Sequence, residues 1–191
     1  FIKSFDKKEI SFLNKIYMFL DGNCRRNKRI INIFSISRYI MGKRIKGWYQ
    51  NKVVNFELKK KMIKLIILAE QWCYRLSWIF QKIEDLRKCK KNLIKFNNNK
   101  TKRSSEWIKI NGDIDLLEIY ELIDKKLLFH QDLKMFLSLD YDPDIFIHFM
   151  KYEPKLKIND FYLLIPYLFN INLYIKNKIA EVSERSRFLL Y

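Results

Sequence analysis

"VVNFELKKKMIKLIILAEQWCYRLSWIFQKIEDLRK", Val53 to Lys88, contains neither glycine nor proline, and its apolar residues recur at three- and four-residue spacing. That is the period of a helix face, not the alternation of a strand. The stretch predicts one helix ending near Trp72 and a continuation to about Lys88. The same period extends outward on both sides, and the whole chain holds only four glycines and three prolines. Upstream, a first helix is expected from about Asp6 to Leu20, with Ile10, Leu13, Ile16 and Tyr17 inward. A second is expected from about Cys24 to Lys43. Downstream, Lys88 to Glu106 is polar and basic with few apolar anchors and reads as a linker or surface loop. Shorter helices follow: roughly Leu116 to Lys126, "QDLKMFLSL" (131–139), a helix capped by Asp142 with Pro143 at its first position, "INDFYLLI" stopping at Pro166, and "NINLYIKNKIAEV" (170–182). The fold class is all-α: a helical bundle over 1–90, a basic polar linker over 91–107 and a second, smaller helical region over 108–191. No repeat of fixed period is present.

The chain has 191 residues, 49% of them hydrophobic, enough to bury a core and too apolar for a disordered segment. Lysine and arginine outnumber aspartate and glutamate by 38 to 21, a net charge of +17. Such a balance points to anionic partners: nucleic acid, phosphorylated ligands or an acidic membrane face. Cys24, Cys73 and Cys89 lack CxxC or Cys/His spacing, so a reducing, intracellular setting is expected, with neither a disulfide scaffold nor zinc. The chain starts at Phe1 and reads as a piece of a longer protein. Its longest apolar run, "LIILA" at Leu65 to Ala69, is far too short to cross a bilayer, so any membrane span is expected outside this piece.

"GNCRRNKRIIN", Gly22 to Asn32, places Arg25, Arg26, Lys28 and Arg29 at a helix start, where they oppose the positive end of the helix dipole. Asn23 is a good N-cap for that helix. At 100° per residue Ile30, Ile33, Phe34, Ser37, Ile40 and Met41 share one face, Arg26 falls near its centre, and Arg25 and Arg29 lie at its edge. A half-buried guanidinium there either meets an anion or snorkels its head into solvent.

Family resemblance enters on these residues. "GNCRRNKRIINIFSISRYI" resembles the Asn-Pro-Arg-Arg-x-Lys-Arg-x-x-Asn segment of the KAP family of P-loop NTPases, with Cys24 where that family has proline. The departure weakens the helix start and leaves the basic residues in place. "LAEQWCYRLSWIFQKIED", Leu68 to Asp85, resembles the family's Glu-Gln-Trp-Pro-Tyr-Arg-x-Ser-Trp segment, with Cys73 in place of the proline. "INGDIDLLEIY" and the segment from Leu139 to Ile179 are similar to the region after the NTPase module in the family's ankyrin-repeat-bearing, membrane-spanning scaffolds. The likeness runs from about Glu9 to Ile179, apart from the loop near Asn97.

The resemblance implies that 1–90 is the helical lid of the NTPase, with Arg25 reaching the nucleotide's terminal phosphates and Arg26, Lys28 and Arg29 supporting it. It implies structural roles for Gly22, Asn23, Asn32, Glu70, Gln71, Trp72, Tyr74, Arg75, Trp78, Asp142, Pro143 and Pro166. ATP and Mg would be bound mainly by the rest of the NTPase core upstream, and by nothing in this piece alone. Partners implied are that core and the receptors and kinases of neurotrophin signalling. The implied location is the cytoplasmic face of a membrane, the parent being an integral membrane protein. From the residues themselves, Trp72, Leu76, Ile79 and Ile83 form a packed stripe that Trp78 and Phe80 extend, and Arg75 pairs with Glu70 or with a neighbouring helix.

Gly42 and Gly47 in "GKRIKGWY" have phosphate-loop spacing, but Trp48 and Tyr49 follow where lysine and a hydroxyl are needed, so this is not a P-loop. The piece should not hydrolyse ATP alone. "DYDPD" lacks the glycine and closing glutamate of a calcium loop and is expected to cap and turn. His130 and His148 lack a nucleophile, and Glu118 and Glu121 read as a solvated face. A basic module binding nucleic acid through Arg25, Arg26, Arg29 and "KNLIKFNNNKTKR", or one contacting acidic lipid, is the rival to the lid.

Overall fold

Asp6 opens the first helix, α1 (Lys7–Ile16), through a reciprocal capping box. The Glu9 amide donates to the Asp6 carboxylate at 2.8 Å and the Asp6 amide to Glu9 at 2.9 Å. The structure, a computed structural model, describes residues 4–44, 52–96, 113–123 and 138–168, with side chains outside 52–54 and 85–96. A 3₁₀ turn, Tyr17–Phe19, follows α1. Then come α2 (Cys24–Arg44), α3 (Lys52–Gln71) and α4 (Cys73–Phe96). After these lie α5 (Leu116–Glu121), α6 (Pro143–Lys151), α7 (Ile158–Leu164) and a second 3₁₀ turn, Ile165–Tyr167. The fold is all-α. Among the described residues no strand occurs, only an isolated antiparallel bridge between Asp115 and Lys157.

α3 is the central element. Residues 62–69 are buried without a break, and α1, α2, α4 and α7 all pack against it. A helix apolar on every side has no reason to choose one face, so it ends up enclosed. Around it α2 turns Ile30, Phe34, Ser37 and Met41 inward, with Ile33 and Ile40 half-buried, as its periodicity predicts. α4 contributes Leu76, Ile79 and Ile83 with Trp78 and Phe80, all buried as expected. Helices on both sides of the 91–107 stretch share one hydrophobic core: Trp72 packs on Tyr141, Phe146 and Phe149, and Phe80 on Phe161. The helix of α4 runs to Phe96, so its last turns occupy the start of the stretch read as a linker.

Two expectations for the first helix are corrected. It gives way to the 3₁₀ turn after Ile16, and Ile10 and Tyr17 face solvent at 47% and 68% exposure. The cause is Glu9, which is buried and drawn into the protein by cations of two other helices. The Arg38 Nη1 of α2 donates to Glu9 at 2.5 Å, and the Lys59 Nζ of α3 lies 2.7 Å from it. Arg38 also sits over the Phe5 ring, 4.7 Å from its centroid, and Phe5 stacks on Phe34. Fixing Glu9 inward rotates Ile10 and Tyr17 out. "QDLKMFLSL" falls mostly outside the described residues, its end Ser138–Leu139 lying in a turn, and the last expected helix (170–182) falls outside them.

Candidate functional site

The start of α2 is held from its own side chains. Asn23 Oδ1 accepts from the amides of Arg25 at 3.0 Å and Arg26 at 3.2 Å, the N-cap its position predicts. Asp21 accepts from the Asn23 amide at 3.2 Å, and its carboxylate receives Arg26 Nη1 in an ion pair. Asn27 Nδ2 donates to the Asp21 carbonyl at 3.1 Å. Asp21, which sequence reasoning passed over, is thus the anion that half-buried Arg26 requires. The visible signal was its place just before the glycine turn.

Arg29 finds a second anion across the bundle, Nε donating to Glu70 Oε2 at 2.5 Å. The arginine is 61% exposed while the Glu70 side chain is 5% exposed, so the pair sits at the edge of the core. Arg25 and Lys28 are exposed, and their charged groups meet no partner among the described residues. Of four cations at this helix start, the fold therefore neutralises two and leaves two outward. Gly22 lies in the exposed turn, where an added Cβ would meet nothing within 4 Å. Asn32 is exposed on the outer face of α2. Gly42 lies inside α2, and the rest of "GKRIKGWY" from Ile45 onward lies outside the described residues.

The second motif, Glu70 to Trp78, forms a structural hub. Gln71 donates from Nε2 to the Phe19 carbonyl at 3.0 Å and accepts from the Asp21 amide at 3.2 Å, so it ties α3 to the turn that positions Arg26. Trp72, fully buried at the break between α3 and α4, donates from Nε1 to the carbonyls of Tyr141 and Asp142 at 2.9 and 3.1 Å. The Asp140 carboxylate caps α4, accepting from the Tyr74 amide at 3.1 Å, the Arg75 amide at 2.9 Å and Arg75 Nη1 at 3.1 Å. Arg75 therefore pairs with Asp140, and Glu70 is taken by Arg29. Asp142 caps α6 through the amides of Asp144 and Ile145 at 2.7 and 3.1 Å, with Pro143 at the first position and Pro166 in the final 3₁₀ turn. Capping thus accounts for Asp140 and Asp142 of "DYDPD", and among the described residues no cluster of acids, histidines and cysteines could hold a metal.

Burial raises the Asp140 carboxyl above its ordinary range, against the hydrogen bonds from Arg75 and Tyr74. Burial and the neighbouring Asp140 push the Cys73 thiol up to about 12. At pH 8 roughly one molecule in ten thousand carries that thiolate. Labelling native protein with a thiol reagent and reading each site by mass spectrometry should therefore modify exposed Cys24 while Cys73 stays unreacted until the chain is unfolded. His148 is exposed on α6, as are Glu118 and Glu121 on α5.

A further buried cation escaped sequence reasoning. Lys64, within "MIKLIILA", is 1% exposed and donates from Nζ to the carbonyls of Met150 and Pro154, both at 3.0 Å, and to that of Tyr152. Chemically, the described surface offers outward cations at one helix start and no nucleophile beside a base. No described helix is long and apolar enough to cross a membrane. Comparison of the chain with protein-family models, with curated proteins and with solved structures finds no match.

Proposed function

We propose that this chain is the helical lid, with the helical region after it, of a KAP-type P-loop NTPase from a membrane-associated signalling scaffold that carries ankyrin repeats. The observation that carries the proposal is the division of labour at the start of α2. Arg26 and Arg29 are engaged by Asp21 and Glu70, while Arg25 projects from a capped helix end and meets no partner among the described residues. An outward guanidinium at the positive end of a helix suits a phosphate brought by another segment, although Asn23 already occupies the amides of Arg25 and Arg26. ATP and Mg fit only partly here. Arg25 and Lys28 would supply charge to the phosphates, whereas a phosphate-cradling loop and metal-binding carboxylates would have to come from the NTPase core upstream. Arg26 and Arg29 then position the helix and do not touch the ligand.

The test is a chain extended upstream, titrated with a fluorescent ATP analogue. Arg25→Ala should weaken binding about 10- to 100-fold, the loss of one charge-assisted hydrogen bond. Asp21→Asn should do less to binding and more to thermal stability. Equal affinity in wild type and Arg25→Ala removes the sensing role.

A further inference from the structure

α2 carries no acidic residue, and its exposed positions are not spread around the helix. Apart from the end residues Cys24 and Arg44, all of them fall in one arc of about 100° running about 27 Å along the axis. Cations stand at the two ends of this stripe, Lys28 and Arg29 beside Arg25 at one and Lys43 at the other. At the centre lie Ile36 and Tyr39, one turn apart and each 45% exposed. Lys43 Nζ reaches back to 5.8 Å from the Tyr39 ring centroid, so the aromatic and the cation present together. An apolar centre with an aromatic anchor and a charged rim is the anatomy of a protein-binding patch.

We propose that the outer face of α2 docks an acidic amphipathic helix of a partner protein. Charge complementarity selects the occupant. The stripe is one helix wide and about five turns long, so a second helix lying along it covers Ile36 and Tyr39 with its own apolar pair and places carboxylates over Lys28 and Lys43. A polyphosphate chain would engage the cations and leave Ile36 without a counterpart. A flat lipid surface would find only two apolar side chains to insert, far fewer than interfacial helices bury. Arg29 contributes less than Lys28, because Glu70 already holds it. The inference is independent of the nucleotide role proposed for Arg25, since it rests on residues 28 to 43.

The experiment uses the full chain and a synthetic helical peptide of about 18 residues, with two leucines one turn apart at its centre and glutamates toward both ends. Binding is read by fluorescence anisotropy. A permuted peptide of identical composition, anionic phosphatidylserine vesicles and a short oligouridine are measured alongside. Expected are micromolar binding of the patterned peptide, at least tenfold weaker binding of the permuted one, a loss of about tenfold on Tyr39→Ala and a several-fold loss on Lys43→Glu. Tyr39 and Lys43 are exposed, and unchanged circular dichroism confirms that both variants fold. Equal binding of the two peptides, no effect of Tyr39→Ala, or binding confined to vesicles or oligouridine would each overturn the proposal.

Discussion

Asp140→Ala should lower the unfolding free energy by about 3 kcal/mol, read as a shift in urea midpoint at constant slope. Two losses combine. The alanine removes the cap of α4, releasing the amides of Tyr74 and Arg75, typically worth about 1 kcal/mol. It also removes a fully buried carboxylate from Arg75, a charge-assisted contact of about 1.5–3 kcal/mol. Asp140→Asn separates the two. Asparagine keeps an acceptor for the helix end and removes a charge whose burial itself works against folding, so it should cost clearly less than alanine. The sign of the pH dependence follows from burial, which raises the folded-state pKa of Asp140 above that of the unfolded chain. The folded protein then holds a proton where the unfolded chain has released it, so stability present below the ordinary aspartate pKa is lost as pH rises through the folded value. Asp140→Asn, which cannot ionise, should show a flatter profile across that window.

Asp140 also shows where sequence stops being informative. Its caps and its pairing join residues 65 and 66 positions apart, and no spacing rule reaches that far. What could be read was local. The inward face of α2, the stripe of α4, the Asn23 and Asp142 caps and the all-α class follow from period and cap chemistry, because an amphipathic helix displays its buried face along one chain. α1 was half legible. Its apolar residues suggested one face, but Glu9 is claimed by Arg38 and Lys59 from two other helices, and that claim turned Ile10 outward. α3 was legible as a helix but not as the centre, since a segment apolar on all sides names none of its neighbours. The arginines of α2 were noticed for opposing the helix dipole, yet their division into held and free needed Asp21 and Glu70 in place. Arg26–Asp21 is local enough that sequence could have proposed it. Arg29–Glu70 is not.

That division bears on how the basic surface is to be understood. Acids in the described core are largely spent inside the fold: Glu9 on Arg38 and Lys59, Asp21 on Arg26, Glu70 on Arg29, Asp140 on Arg75 and Asp160 on Lys61. The excess of cations is therefore displayed outward, which strengthens attraction of any anionic partner without naming it. Specificity has to come from shape and apolar contact, and on α2 those are supplied by Ile36 and Tyr39, not by the cations themselves.

Lys64→Met is expected to be the other costly change, destabilising by about 3 kcal/mol near pH 9. Methionine matches the length and apolar stem of lysine, so packing among the α3 neighbours is kept. What disappears is the single group that reaches three carbonyls, that of Met150 in the last turn of α6 and those of Tyr152 and Pro154 beyond it. The neutral amine present at pH 9 can satisfy two of these carbonyls. Those of Met150 and Pro154 are engaged in buried hydrogen bonds and lose their partner, at about 1–3 kcal/mol each, while Tyr152 is half-buried and can recover water. Against this stands the cost of holding a charge inside the protein. Burial pulls the Lys64 ammonium down to about 7, opposed by the carboxylates of Glu153 and Asp115. The unfolded lysine keeps its proton to a much higher pH. Between about 7 and the ordinary lysine value the unfolded chain therefore binds the extra proton, and wild-type stability rises with pH by up to about 5 kcal/mol. As pH falls through 7 that contribution is lost, because the folded state must then carry the charge. Lys64→Met has no such group, so its deficit relative to wild type should be small near pH 6 and grow steadily toward pH 10. Urea midpoints of both proteins across that range decide the matter. A deficit independent of pH would mean that Lys64 keeps its full charge in the fold, held by the three carbonyl dipoles that match its three N–H donors.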